Sequence, residues 1–94
     1  MDKEIKTDFS QLYHVLELLQ GADEYRSFFE DIATIKELED MAQRLNVAVL
    51  LDKGYSYNQI CDMTGVSTAT ISRVNRCLRY GEGYRLALKH LNEE

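Results

Sequence analysis

Apolar residues recur along this chain at the three-and-four spacing of helices, in runs separated by glycine. Phe9, Leu12, Tyr13, Leu16 and Leu19 form one stripe, widened by Val15 and Leu18. They predict a helix over 9–20, with Asp8 as its cap and Gly21 as its stop. A shorter second helix over 23–32 puts Tyr25, Phe28, Phe29 and Ile32 on one side. Thr34 and Glu37 have the spacing of a capping box, in which a hydroxyl and a carboxylate each satisfy an exposed amide. They open a third helix that continues to Lys53 and stops at Gly54. Its first half opposes Ile35, Leu38, Met41 and Ala42 to Lys36, Glu39, Asp40 and Gln43; from Leu45 to Leu51 it is apolar on nearly every side. Such a helix needs several partners. One small domain cannot hide the apolar surface of these three helices, which predicts an obligate homodimer with interlocked helices. A central helix wrapped by its own neighbours is the alternative.

The following segment has a different grammar. Ser56 and Gln59 form a second capping box, opening a fourth helix that ends near Met63. Gly65 can take the positive φ of a tight corner, and Ser67 caps a fifth helix running to about Tyr80. Gly81 and Gly83 interrupt the chain again before a last amphipathic helix from Tyr84 to Leu91. Ile60 and Cys61 face inward from the fourth helix, and Val66, Ile71 and Val74 from the corner and the fifth, which is the apolar skeleton of a helix-turn-helix. The outward face of the fifth helix carries Thr68, Ala69, Thr70, Ser72, Arg73, Asn75 and Arg76. Small hydrogen-bonding groups followed by guanidinium groups suit base edges and phosphates in a major groove.

The reading is sequence-specific binding of double-stranded DNA. The candidate contacts are Ser56, Tyr57, Asn58, Ser67, Thr68, Ala69, Thr70, Ser72, Arg73 and Arg76. Thr68, Ala69 and Ser72 are suited to base edges and Arg76 to guanine or a phosphate. Ser56, Tyr57 and Asn58, with Lys53 beside them, are suited to the sugar-phosphate backbone. A hairpin used only for packing, or an adaptor that meets other proteins, explains the apolar positions but not the hydroxyls and arginines gathered on one face.

Composition narrows the class. With 94 residues, no proline, five glycines and 45% apolar residues, the chain reads as one all-α domain over 1–94. Within it, 1–54 supply the dimerisation helices, 55–80 the helix-turn-helix and 81–94 a C-terminal helix. No run is long enough for a membrane span and the start, Met1-Asp2-Lys3-Glu4, is unlike a signal peptide, so a cytoplasmic protein is expected. Cys61 and Cys77 lack the spacing of a zinc site and read as small buried thiols; His14 and His90 stand alone. No catalytic constellation is visible, and no enzyme activity is expected. The net charge of −5 argues against a nucleic-acid partner until its distribution is considered. Residues 1–53 hold twelve acidic and six basic side chains, whereas residues 54–80 hold one acid, Asp62, against Arg73, Arg76 and Arg79. An acidic body suppresses non-specific adhesion and leaves binding to fitted contacts.

From Thr34 to Leu78 the chain resembles the Trp-repressor superfamily, in particular its YerC/YecD-like branch. The resemblance is carried by the capped third helix with Arg44 in it, by Leu50, Leu51 and Gly54 at its end, and by the run from Gly65 to Leu78 with Ala69-Thr70-Ile71-Ser72-Arg73 inside it. It implies a six-helix intertwined homodimer from a bacterium, a transcriptional regulator whose two recognition helices face successive major grooves of a palindromic site. It also implies that Arg44 and Arg73 stand where the family holds the carboxylate of a tryptophan co-repressor, with Thr34 nearby. Val74 and Cys77 depart from the glycine and serine of that pocket. A β-branched side chain fills the indole slot and a thiol is a weak acceptor, so tryptophan is not expected to bind and no cofactor is assigned. A small anionic effector at Thr34, Arg44 and Arg73 is the alternative the resemblance leaves open.

Overall fold

A computed structural model describes residues 6–94 of the chain; the reading of residues 1–4 lies outside them. The described residues form six α-helices: α1 (Ser10–Leu18), α2 (Gly21–Ile32), α3 (Ile35–Asp52), α4 (Tyr57–Thr64), α5 (Thr68–Tyr80) and α6 (Gly83–Asn92). There is no strand among them, as the helical periodicity predicts. Among the described residues no helix is long and apolar enough to cross a membrane. The chain divides into two compact units, with the boundary between Ile35 and Lys36.

In the first unit the N-cap of α1 is Phe9, not the expected Asp8, and makes no side-chain cap bond; Asp8, one residue earlier, accepts the amide hydrogen of Ser10 at 2.9 Å. That bond holds the Asp8 carboxyl below its usual pKa, the backbone amide being the main cause. Gly21 is not the stop of this helix. Leu19 and Gln20 turn the chain in extended conformations, and Gly21, at φ 79°, already opens α2. The Tyr25 hydroxyl donates to the Leu16 carbonyl at 2.9 Å, and Phe28 and Phe29 meet edge to face with centroids 5.6 Å apart. Neither α1 nor α2 buries a single residue; Phe9, Tyr13, Leu18 and Ile32 are all more than half exposed.

The second unit contains the core. Val47 and Ala48 of α3, Ile60 of α4, Val66 of the corner, Ile71 and Val74 of α5 and Leu88 of α6 form one buried cluster. Val49, Leu50, Leu51, Tyr57, Cys61, Leu78 and Tyr84 pack against it. α5 packs against both α4 and α6, and the C-terminal half of α3 contributes Val47 and Ala48 to the same core.

Candidate nucleic-acid interface

Local hydrogen bonds place the helix-turn-helix. At the start of α4 the Ser56 hydroxyl accepts from the Gln59 backbone amide at 3.2 Å, and the Gln59 side-chain Oε1 accepts from the Ser56 backbone amide at 2.8 Å. The capping box expected there is complete. At its end Gly65 adopts φ 73°, and its amide donates to the Cys61 carbonyl at 2.8 Å. The Ser67 hydroxyl then accepts from the Thr70 amide at 3.2 Å and caps α5.

Ile71 and Val74 are fully buried beneath α5, so the opposite side must face solvent. Thr68, Ser72, Arg76 and Tyr80, at successive i,i+4 positions, form one exposed row. The sequence reading missed Tyr80, the last member and 81% exposed; its spacing from Arg76 was the available signal. Ala69, Arg73 and Cys77 form the adjacent row, also exposed. Thr70 and Asn75, expected on the outward face, are half-buried instead. The Thr70 hydroxyl accepts from the Ser67 hydroxyl at 3.2 Å, because Thr70 is the residue whose amide the cap must satisfy.

The flank supplied by α4 is mixed. Ser56 and Asn58 are exposed, whereas Tyr57 turns part of its ring onto the core. Lys53 is exposed just after the end of α3.

The second row of α5 leads into a cleft of about 320 Å³, lined by Arg44 from α3, Arg73, Val74 and Cys77 from α5, and Tyr84 from α6. Arg44 and Arg73 therefore line one cleft. Thr34 is exposed and immediately precedes α3, in the first unit. Tyr84 was not foreseen, although it opens the apolar stripe of α6 that continues to Leu88. Cys77, expected to be a buried thiol, is exposed in this cleft; Cys61 is half-buried, and neither is in a disulfide.

Among the described residues, Arg44, Arg73 and Arg76 have no carboxylate in ion-pair contact. Asp40, one acid that might have neutralised Arg73, pairs with Lys36 at 3.0 Å instead. The guanidinium groups of both rows are thus available to an anion from outside the chain.

Known proteins resemble this chain in sequence and fold. Over 94 residues the chain is 44% identical to the uncharacterized protein YerC of Bacillus subtilis (strain 168), covering 99% of this chain and 90% of that one. The solved structure of a TrpR like protein from Eubacterium eligens ATCC 27750 matches with a TM-score of 0.83 and 44% identity, over 88% of this chain and 87% of that one. A second solved chain, from Staphylococcus aureus, matches with a TM-score of 0.83 and 38% identity, over 92% of this chain and 87% of that one. The family model described as Trp repressor protein matches residues 7–92. With that family model covering nearly the whole length and a relative 44% identical over 99% of it, the chain belongs to the Trp repressor family.

Proposed function

We propose that this protein is a sequence-specific, double-stranded-DNA-binding transcriptional regulator of the cytoplasm, a repressor that acts as a homodimer. The carrying observation is the exposed row of Thr68, Ser72 and Arg76 above fully buried Ile71 and Val74. Thr68, Ala69 and Ser72 meet base edges, Arg76 meets guanine or a phosphate, and Ser56, Asn58 and Lys53 hold the sugar-phosphate backbone. Tyr57 contributes only its exposed edge, Ser67 and Thr70 order the reading turn through the cap, and Arg73 stands between the duplex and the cleft. The unburied apolar residues of α1 and α2 support pairing of two copies, which would set two α5 helices ~34 Å apart on a palindrome.

Selection of bound duplexes from a random pool, followed by salt titration, tests this reading. A recovered palindrome and a loss of about tenfold or more for Arg76→Ala are expected. Unselective binding, or undiminished affinity in Arg76→Ala and Thr68→Ala, would favour an adaptor that docks proteins.

A second reading is favoured by the cleft alone. Two unpaired guanidinium groups facing one cavity suit a small carboxylate or phosphate effector that gates DNA affinity. Val74 reduces the room for an indole. Thermal melts and gel shifts with and without amino acids and small carboxylates test it. If Arg44→Ala changes neither DNA affinity nor any ligand-induced stabilisation, binding is constitutive.

A further inference from the structure

The role of α6 is the part of the second unit that the helix-turn-helix leaves unexplained. Its side chains answer at both ends. Near its start, Arg85 reaches back to the exit of α5, where its Nε donates to the Leu78 carbonyl at 2.8 Å and an Nη donates to the Arg79 carbonyl. The preceding carbonyl, that of Cys77, accepts from the Gly81 amide at 2.8 Å. Arg85 thus satisfies two carbonyls of the last turn, those of Leu78 and Arg79, which a helix normally leaves without partners. The positive guanidinium also sits at the negative end of the helix dipole. At the other end of α6, the Asn92 side-chain amide donates to the carboxylate of Asp52, the last residue of α3, at 3.2 Å. Between these ties Leu88 is buried in the core.

We infer that Arg85 is a positioning residue for the reading helix, fixing the tilt of α5 by forking its exit carbonyls to a helix that is itself fastened to α3. This rests on the DNA-binding reading proposed above. The lever is long. From Tyr80 to Thr68 the helix rises ~18 Å at ~1.5 Å per residue, so a tilt of ~3° about its exit displaces Thr68 by ~1 Å. A hydrogen bond to a base edge tolerates only a few tenths of an ångström. Contacts to phosphates through long flexible side chains tolerate more. Loss of the fork must therefore reduce discrimination between sequences before it reduces adhesion to DNA.

The test uses the full chain, a duplex carrying its selected site and a scrambled duplex of equal length. Arg85→Ala is expected to weaken binding to the selected site about tenfold, as loss of a charge-assisted hydrogen-bond pair implies. Affinity for the scrambled duplex and the slope of log affinity against log salt should stay unchanged. Arg85→Lys keeps the charge at the helix end without the planar fork, so it folds and should lose the same discrimination.

Full discrimination in Arg85→Lys would overturn the inference, since charge alone would suffice. Equal losses on both duplexes, with the salt slope falling by about 0.9, would make Arg85 a phosphate contact instead. A lowered Tm with both affinities intact would leave only a structural role and overturn it too. A wild-type chain that selects no sequence sinks the DNA-binding reading and this inference together. One that selects a site which Arg85→Ala binds equally well sinks the inference alone.

Discussion

Thr64 Oγ1 accepts the amide hydrogen of Val66 at 3.1 Å, while its own hydrogen is donated to the Ile60 carbonyl at 2.6 Å. One part-buried hydroxyl closes the last turn of α4 and directs the chain past Gly65 towards α5. Replacing it with a methyl of the same shape leaves the Val66 amide without this partner. Thr64→Val is expected to destabilise the domain by about 1–2 kcal/mol in urea denaturation, with Thr64→Ser near wild type. An unchanged midpoint for Thr64→Val would mean that solvent replaces the hydroxyl at no cost.

The corner between α5 and α6 is tight in a different way. A Cβ built on Gly81 would lie 2.8 Å from the Cys77 carbonyl oxygen, the atom that accepts the Gly81 amide. The obstacle is backbone and cannot rotate away. Gly81→Ala is therefore expected to cost about 1–3 kcal/mol, as overpacking does. Gly83→Ala, with nothing within 4 Å of its Cβ, is the control and should melt close to wild type. Equal Tm values for the two variants would refute the steric account.

Exposed apolar residues on α1 make the proposed pairing of two copies directly accessible. Tyr13 and Leu18 are 64% and 61% exposed, so charging them removes nothing from the intrachain core. Burying one leucine contributes about 1.5–3 kcal/mol, and Leu18→Asp should weaken self-association by about 10- to 100-fold per copy. Sedimentation velocity across a dilution series checks it. A wild-type chain that is monomeric at every concentration would remove the dimer from the proposal.

Asp8 gives a pH signature at the start of α1. Its bond from the Ser10 amide favours the ionised form, so its folded pKa lies below the ordinary 3.8. The stabilisation is present in full above that ordinary value and is lost as the pH falls through the lowered folded pKa. A carboxyl titration followed by NMR should place the Asp8 midpoint below 3.8, and Asp8→Asn should weaken the acid dependence of Ser10 amide protection. A midpoint at or above the ordinary value would show that this bond is not formed in solution.

Much of this architecture was legible because its signals are local. Ser56 with Gln59, Ser67 with Thr70 and the positive φ of Gly65 are short-range devices, and each is found where its spacing predicts. Glycine alone was a weaker guide. Gly21 follows its chain break instead of making it, since Leu19 and Gln20 adopt extended backbone that many residues tolerate. The clefts and faces depend on helices distant in sequence, and here the reading was incomplete. Cys77 is one turn from Arg73 and shares its exposed row, which only the packing of α3 and α6 against α5 reveals. Arg85 gave no sequence signal, because a side chain that caps another helix has no fixed spacing from it.

The division of labour within α5 has an evolutionary consequence. Ile71 and Val74 secure the helix, while positions 68, 69, 72 and 76 are exposed and lie outside the core. Under the proposed DNA-binding role, substitutions at those four places change which duplex is preferred at little expense to folding. Descendants of one ancestral gene can therefore acquire new targets by altering a handful of codons while the scaffold beneath stays as it was.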